Sequence, residues 1–368
     1  MKSAGKIRCK MRQKILLSII VPVYNVEPYL KHFFCTLLCC NLNDCEIILS
    51  LGRSSDESEQ VCTEYARSYP LIKMIYQNGK GLSNARNCAL DIASGEYVLF
   101  LDSDDFVESA DLDSFIADLR NGSFMADLIV TDFRRLECPS NHMTNIYQIG
   151  ENTPVQRDMG FLPRMLRKRQ CFWNVWRYIF RLNFLREHQI RFWENRVSED
   201  VDFVTSVFLA EPSVIFVHCP YYVYVVGRGG SLMDSPNIQR LRDTVFVLTN
   251  SIERLRASNF IYAPQMIAQF QFEYLLNLAL AVEIEMENRK EALELYRNWE
   301  TVLADSADPA VRFSTRLLPI LRRRGMGTLL HCIKIMRRRW KRGTKKKGEF
   351  RNDHYEDAVP NQFCGGRK

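Results

Sequence analysis

Between residues 15 and 131, short runs rich in β-branched and aromatic residues alternate with amphipathic segments of about a dozen residues. The runs are 15–21, 46–50, 72–76, 97–101 and 127–131, and the segments between them are 28–40, 57–68, 83–93 and 109–120. Each segment opens on a start signal. Pro28 suits a first helical position, Asp56 with Glu59 resembles a capping box, and Ser83 and Ser109 are N-cap types. Strands alternating with helices predict an α/β fold with a mostly parallel sheet covered on both faces. In such sheets ligands bind outside the carboxyl ends of the strands. Residues 22–25, 51–56, 77–81 and 102–105 are therefore expected to share one crevice.

After about residue 150 the alternation gives way to a Trp- and Arg-rich stretch, 171–193. Glu199 and Asp200 open a further helix, strands are expected at 214–218 and 221–226, and residues 239–304 have a helical pattern. This divides the chain into an α/β domain (1–235), a helical C-terminal region (236–342) and a polar tail (343–368). Apolar residues at 46% and charged residues at 25% are ordinary globular usage, which excludes disordered and collagen-like classes. The 12 cysteines are scattered without a CxxC pair and read as small apolar residues in a reducing compartment. No apolar run reaches the roughly 18 residues that a membrane span needs. Residues 15–23 follow a basic stretch, but no small-residue cleavage pattern follows them, so they read as a buried strand rather than a signal peptide.

The run Asp102-Ser103-Asp104-Asp105 directly follows an apolar strand. Three carboxylates in four residues repel one another unless solvated or neutralised. A solvated capping turn is the plain alternative, but the position at the crevice mouth suits hard oxygen ligands for Mg²⁺ or Mn²⁺ bridging to a diphosphate.

Together with residues 18–25 (SIIVPVYN), 81–87 (GLSNARN) and Gly95-Glu96-Tyr97, this run resembles the family 2 glycosyltransferases, particularly those of bacterial polysaccharide synthesis. The resemblance is close over about 14–120 and looser through 175–181, Glu199-Asp200 and 222–224 to Arg228 and Ser231. It implies a GT-A fold and a metal-dependent, inverting hexosyl- or acetylhexosaminyl-type transfer. The donor would be a nucleotide sugar, with UDP-sugar the first expectation, and the acceptor a glycan or a lipid-linked molecule. Residue by residue, it implies that Pro22 and Tyr24 line the base pocket and that Arg86 reaches the base or the phosphates. Asp102 would meet ribose or metal, Asp104 would ligate the metal, and Asp200, paired with Glu199, would be the general base. Arg228 and Ser231 would lie on a loop over the diphosphate. At the start of a helix the macrodipole favours ionised Glu199 and Asp200, and helix stabilisation is the plain alternative for Glu199. Trp173, Trp176 and Trp193 are candidates for stacking on an acceptor sugar, with ordinary packing as the alternative; His218 reads as a satisfied core histidine.

One run departs from the family. Where its members carry an acidic pair that helps bind uracil, this chain has Leu51 and Gly52, which leaves open another base, backbone contacts to the base, or a weakened member of the family. The net charge of +7 is also unevenly placed, because residues 321–347 hold 12 Lys or Arg and no acid. Within them Leu329, Ile333, Met336 and Trp340 form one helical stripe among the basic residues, the pattern of a helix lying on an anionic membrane. A charged helix packed on the bundle, or a nucleic-acid contact, is the alternative. The reading is a cytoplasmic enzyme peripheral on the inner face of the membrane. A metal-dependent nucleotidyl- or phospho-sugar transferase is the competing enzyme class.

Overall fold

The computed structural model describes residues 14–312 except 147–148, 150–154, 158, 168–172, 229–237, 281–290, 292–293, 296–297 and 308–310. The first half is β1 (Leu17–Val23), α1 (Glu27–Leu37), β2 (Cys45–Leu51), α2 (Ser58–Ser68), β3 (Ile72–Tyr76), α3 (Leu82–Ile92) and β4 (Tyr97–Phe100). These four strands are mutually parallel in the order β3-β2-β1-β4. Next come β5 (Phe106–Val107), α4 (Ser109–Arg120), β6 (Leu128–Glu137), β7 (His142–Ile146), β8 (Val155–Gln156), α5 (Phe161–Arg167) and β9 (Tyr178–Arg181). They are followed by α6 (Leu182–Glu187), α7 (Glu199–Leu209), β10 (Val214–Val226), α8 (Ile238–Arg256) and α9 (Ala263–Leu280). The sheet continues from β4 through β9, β6 and β10 to β5, and β9 runs antiparallel to both of its neighbours.

The central strands β1, β2 and β4 are buried along their whole length because both faces of the sheet are covered. Ile19, Val21, Leu49 and Leu99 point to one face, where Leu30, Phe33 and Phe34 of α1 and Leu112, Phe115 and Ile116 of α4 meet them. Ile20, Ile48, Val98 and Phe100, one residue out of phase, point to the other, which Ala89 of α3, Phe203 of α7, Leu248 of α8 and Phe270 of α9 cover. Each such side chain contributes about 1.5–3 kcal/mol on full burial. The helices α8 and α9 thus belong to the same hydrophobic core as the sheet.

Some start signals work differently from their sequence reading. Pro28 does lie in the first turn of α1. Asp56 accepts the Ser58 N–H (3.1 Å) and also the Glu27 N–H (3.0 Å), so one carboxylate serves the first amides of both α2 and α1. Glu59 accepts the Tyr76 hydroxyl (2.6 Å) instead of closing a capping box. Ser109 donates across to the Thr36 carbonyl (2.7 Å), and Ser83 is buried inside α3. The two strands expected at 214–218 and 221–226 are a single β10 whose register with β6 shifts between Val217 and Tyr222, where Pro220 lacks an N–H for the ladder.

Candidate active site at the carboxyl ends of the strands

The parallel register places Val23 beside Leu51, Leu51 beside Tyr76, and Ile20 beside Phe100. The segments leaving β1, β2, β3 and β4 therefore emerge side by side, as the crossover pattern requires. The acidic turn after β4 is tied to β1 by the Ser103 hydroxyl, which donates to the Pro22 carbonyl (2.7 Å). It is closed by the Asp105 N–H on the Asp102 carbonyl (3.2 Å).

The three carboxylates of this turn diverge in role. Asp105 is buried; its Oδ1 accepts the Val225 N–H (2.8 Å) and Arg228 Nη1 (3.0 Å), and its Oδ2 accepts the Tyr222 hydroxyl (2.5 Å). Burial and the neighbouring Asp104 hold its carboxyl well above the ordinary range. Its bonds to Tyr222 and Val225 anchor the turn to β10. The Asp102 and Asp104 side chains remain 27% and 30% exposed. Asp102 Oδ1 accepts from Arg86 (3.0 Å) and Asp104 Oδ2 from Arg228, which among the described residues leaves each with one oxygen free of hydrogen bonds. Among the described residues no group of three or more His, Cys, Asp or Glu could by itself enclose a metal. Two half-exposed carboxylates, each with a free oxygen, fit a hard divalent cation whose other ligands come from phosphate and water.

Arg86, expected at the base or the phosphates, lies inside the protein with 1% of its side chain exposed. Its Nη1 donates to Glu199 Oε1 (2.9 Å) and Asp200 Oδ1 (2.6 Å), and its Nη2 to Asp102 Oδ1 (3.0 Å). The Phe192 ring lies 5.1 Å from the guanidinium carbon. One cation thus faces three carboxylates. Burial raises Asp200 above the ordinary carboxylate range against the pull of Arg86, and burial together with the Asp200 charge pushes Glu199 up to about 8. The helix dipole was expected to keep both acids low; desolvation in this packed corner outweighs it. Asp200 is held from a second side by the Val175 N–H on Oδ2 (3.1 Å).

The entry to α7 is braced by α8. Ser198 sits in the left-handed region (φ 67°) directly before the two acids, and its hydroxyl is 3.0 Å from that of Thr244. The Val197 N–H and Arg196 Nη1 both donate to Asp243 (3.2 and 3.1 Å). A left-handed serine costs free energy and persists only where its surroundings fix it.

Arg228 reaches back from the end of β10 because Gly227 turns the chain at φ +79°, where an added Cβ would lie 2.5 Å from the Cys138 carbonyl oxygen. Its guanidinium clamps the acidic turn through the Asp104 backbone oxygen and the Asp104 and Asp105 carboxylates. Ser231 lies outside the described residues, as does the basic stretch 321–347. Pro22 is buried within β1, while Tyr24 beyond it is 63% exposed. The Tyr24-Asn25 loop is joined to the loop after β2, because Asn25 Oδ1 accepts the Ser55 N–H (2.8 Å) and the Asn25 N–H donates to Ser54 (3.1 Å).

Among the aromatic candidates, Trp176 is core, stacked on Tyr222 at 4.2 Å, and Trp173 is buried with its Nε1–H on Glu273 (2.9 Å). Trp193 is 37% exposed beside Phe246. His218 pairs with Asp132 (2.7 Å), a satisfied histidine as expected. Sequence reasoning missed Asp105 and Tyr222 as the anchors of the acidic turn and Val175 as an amide donor to Asp200, because these contacts form only across the fold.

The overall structure is similar to that of S. aureus TarS residues 1–349 in complex with UDP-GlcNAc, with a TM-score of 0.67 and 18% identity over 89% of this chain and 92% of that one. Strand order and this likeness define the fold as GT-A. Residues 18–188 match the profile of Glycosyl transferase family 2. It is 31% identical over 212 residues to the uncharacterized glycosyltransferase EpsJ of Bacillus subtilis (strain 168), covering 57% of this chain and 60% of EpsJ. It is 28% identical over 232 residues to a cholesterol galactosyltransferase of Borreliella burgdorferi, covering 61% of this chain and 64% of that protein. The matches span less than two thirds of either relative's length.

Proposed function

We propose that this chain is an inverting glycosyltransferase of bacterial polysaccharide or glycoconjugate synthesis. It would move a hexose or an N-acetylhexosamine from a UDP-sugar to a hydroxyl of a glycan or lipid-linked acceptor. The observation that carries the reading is the pair formed by Asp200 and Asp102 on one buried guanidinium. It sets a candidate base and a candidate donor-binding carboxylate on opposite arms of Arg86 at the ligand end of the sheet. The UDP-GlcNAc complex of the similar TarS structure and the glycosyltransferase names of the relatives support the substrate class.

In this reading Asp200 removes the proton of the acceptor hydroxyl as its oxygen attacks the anomeric carbon. Arg86 and the Val175 N–H fix the carboxylate so that Oδ1 and Oδ2 keep one orientation. A raised pKa makes Asp200 a better base than a solvated aspartate, provided the pH lies above that pKa. Glu199, pushed up to about 8, keeps its proton near neutrality and relieves the crowding of three carboxylates on one cation. Asp102 and Asp104 would hold Mn²⁺ or Mg²⁺, which supplies positive charge to the departing diphosphate. Among the described residues no helix is long and apolar enough to cross a membrane. Attachment to an anionic membrane surface through 321–347 is part of the proposal and rests on the charge and stripe of that sequence.

The test is a screen of nucleotide sugars for metal-dependent hydrolysis and transfer, with product analysis. Release of nucleoside diphosphate with the sugar transferred supports the reading. Release of nucleoside monophosphate or pyrophosphate would instead establish a nucleotidyl- or phospho-sugar transferase. Asp200→Asn is expected to lower turnover by about 10²–10⁴-fold, the usual contribution of a general base. Donor binding should remain; undiminished turnover removes Asp200 from the role.

A further inference from the structure

The end of β2 carries Leu51, which is buried, and Gly52, so neither offers a side-chain acceptor to a nucleobase. What borders Gly52 is unusual. A Cβ added there would lie 3.0 Å from Tyr24 Cδ2 and 3.2 Å from Gln77 Nε2, so an aromatic ring and a carboxamide both close on this one α-carbon. The ring is largely exposed. Gln77 is held in place by its backbone N–H on the Leu51 carbonyl (3.1 Å), while its half-buried side-chain amide makes no hydrogen bond among the described residues. A free donor and acceptor beside an exposed aromatic face, at the ligand end of three adjacent parallel strands, is the chemistry of a slot for a planar, hydrogen-bonding ring.

We propose that Gln77 reads the base of the donor nucleotide. Its Oε1 would accept the N3–H of uracil while Nε2 donates to the adjacent O4, with the Tyr24 ring against the face of the base. This deepens the donor reading of the proposed function and rests on it. A carboxylate can only accept, whereas the carboxamide supplies both halves of the pair to an imide edge. The loss of acids at 51 and 52 then changes the means of base recognition without abolishing it. Gly52 suits the same arrangement, because an added Cβ would be a tight fit that makes Tyr24 or Gln77 give by a few tenths of an ångström.

Calorimetry on the full chain with Mn²⁺ tests this, using UDP, N3-methyl-UDP, CDP and GDP as probes. Wild type is expected to prefer UDP and to bind N3-methyl-UDP about tenfold more weakly, the size of one or two net hydrogen bonds. Gln77→Leu should weaken UDP by about tenfold and bind UDP and N3-methyl-UDP alike. Gln77→Glu should recover part of the UDP affinity and reject CDP, whose N3 carries no proton. Equal UDP affinity in wild type and a folded Gln77→Leu would overturn the proposal while leaving the donor reading intact, and so would a wild-type preference for GDP. If wild type binds none of these nucleotides, the donor reading itself falls, and this inference falls with it.

Discussion

Arg86, itself buried, faces the three carboxylates of Asp102, Glu199 and Asp200, so removing the cation and removing an acid should act in opposite directions. Deleting one partner of a buried, hydrogen-bonded ion cluster costs about 3–5 kcal/mol, because the remaining charges stay buried. Arg86→Gln should therefore lower unfolding stability by about that amount, measured by urea denaturation. Glu199→Gln removes a surplus acid and should be tolerated. The sign follows from proton counting. Glu199 is pushed up to about 8 in the folded protein from an ordinary value of 4.5, so the folded state binds the extra proton between those values. Stability contributed at this site is then present below about 4.5 and lost as the pH rises to about 8. Melting temperatures of wild type should show that decline, and those of Glu199→Gln should show less of it; parallel curves would contradict the assignment. Asp200, also raised, should place the acid limb of turnover above the ordinary carboxylate range, and a pH–rate profile reads its position directly.

At the level of elements, the turn after β10 decides whether Arg228 reaches the acidic turn. Gly227 at φ +79° abuts the Cys138 carbonyl, so Gly227→Ala combines backbone strain with a steric clash. It should cost about 1–3 kcal/mol and release the clamp on Asp104, weakening nucleotide binding measured with Mn²⁺ more than stability alone explains. The elements that build this edge were mostly legible in sequence, because strands buried on both faces read as β-branched runs and helices between them keep their apolar period. The runs expected at 46–50 and 97–101 are the observed Cys45–Leu51 and Tyr97–Phe100, offset by one residue at the ends. What escaped were short, tertiary-dependent strands. β9 has four residues inside a Trp- and Arg-rich stretch and exists because it fills the gap between β4 and β6. Site residues divide the same way. Asp102, Asp104 and Asp200 can be singled out as candidates by type and position, but the contacts of Arg86 depend on partners 113 and 114 residues away. No local spacing encodes such a contact, nor the burial that raises both acids of α7.

For the whole molecule, the +7 balance separates into two parts of the sequence with opposite charge. Residues 321–347 contribute 12 positive charges, so the remainder of the chain is net acidic. In the proposed function its carboxylate-rich edge would need a cation before a diphosphate could approach. If the basic stretch is the membrane contact, each Lys or Arg near the surface adds about 1 kcal/mol, and the attraction should fade with salt over the Debye length. The full chain should therefore sediment with vesicles containing anionic phospholipid and not with neutral ones. Reversing Arg337, Arg338 and Arg339 to Glu should abolish sedimentation while leaving UDP affinity unchanged, since the proposed donor-site residues fall within 22–228. Retention of the triple variant on anionic vesicles would place the contact elsewhere. Binding of wild type to RNA but not to vesicles at about 0.15 M salt would assign the basic stretch to nucleic acid instead.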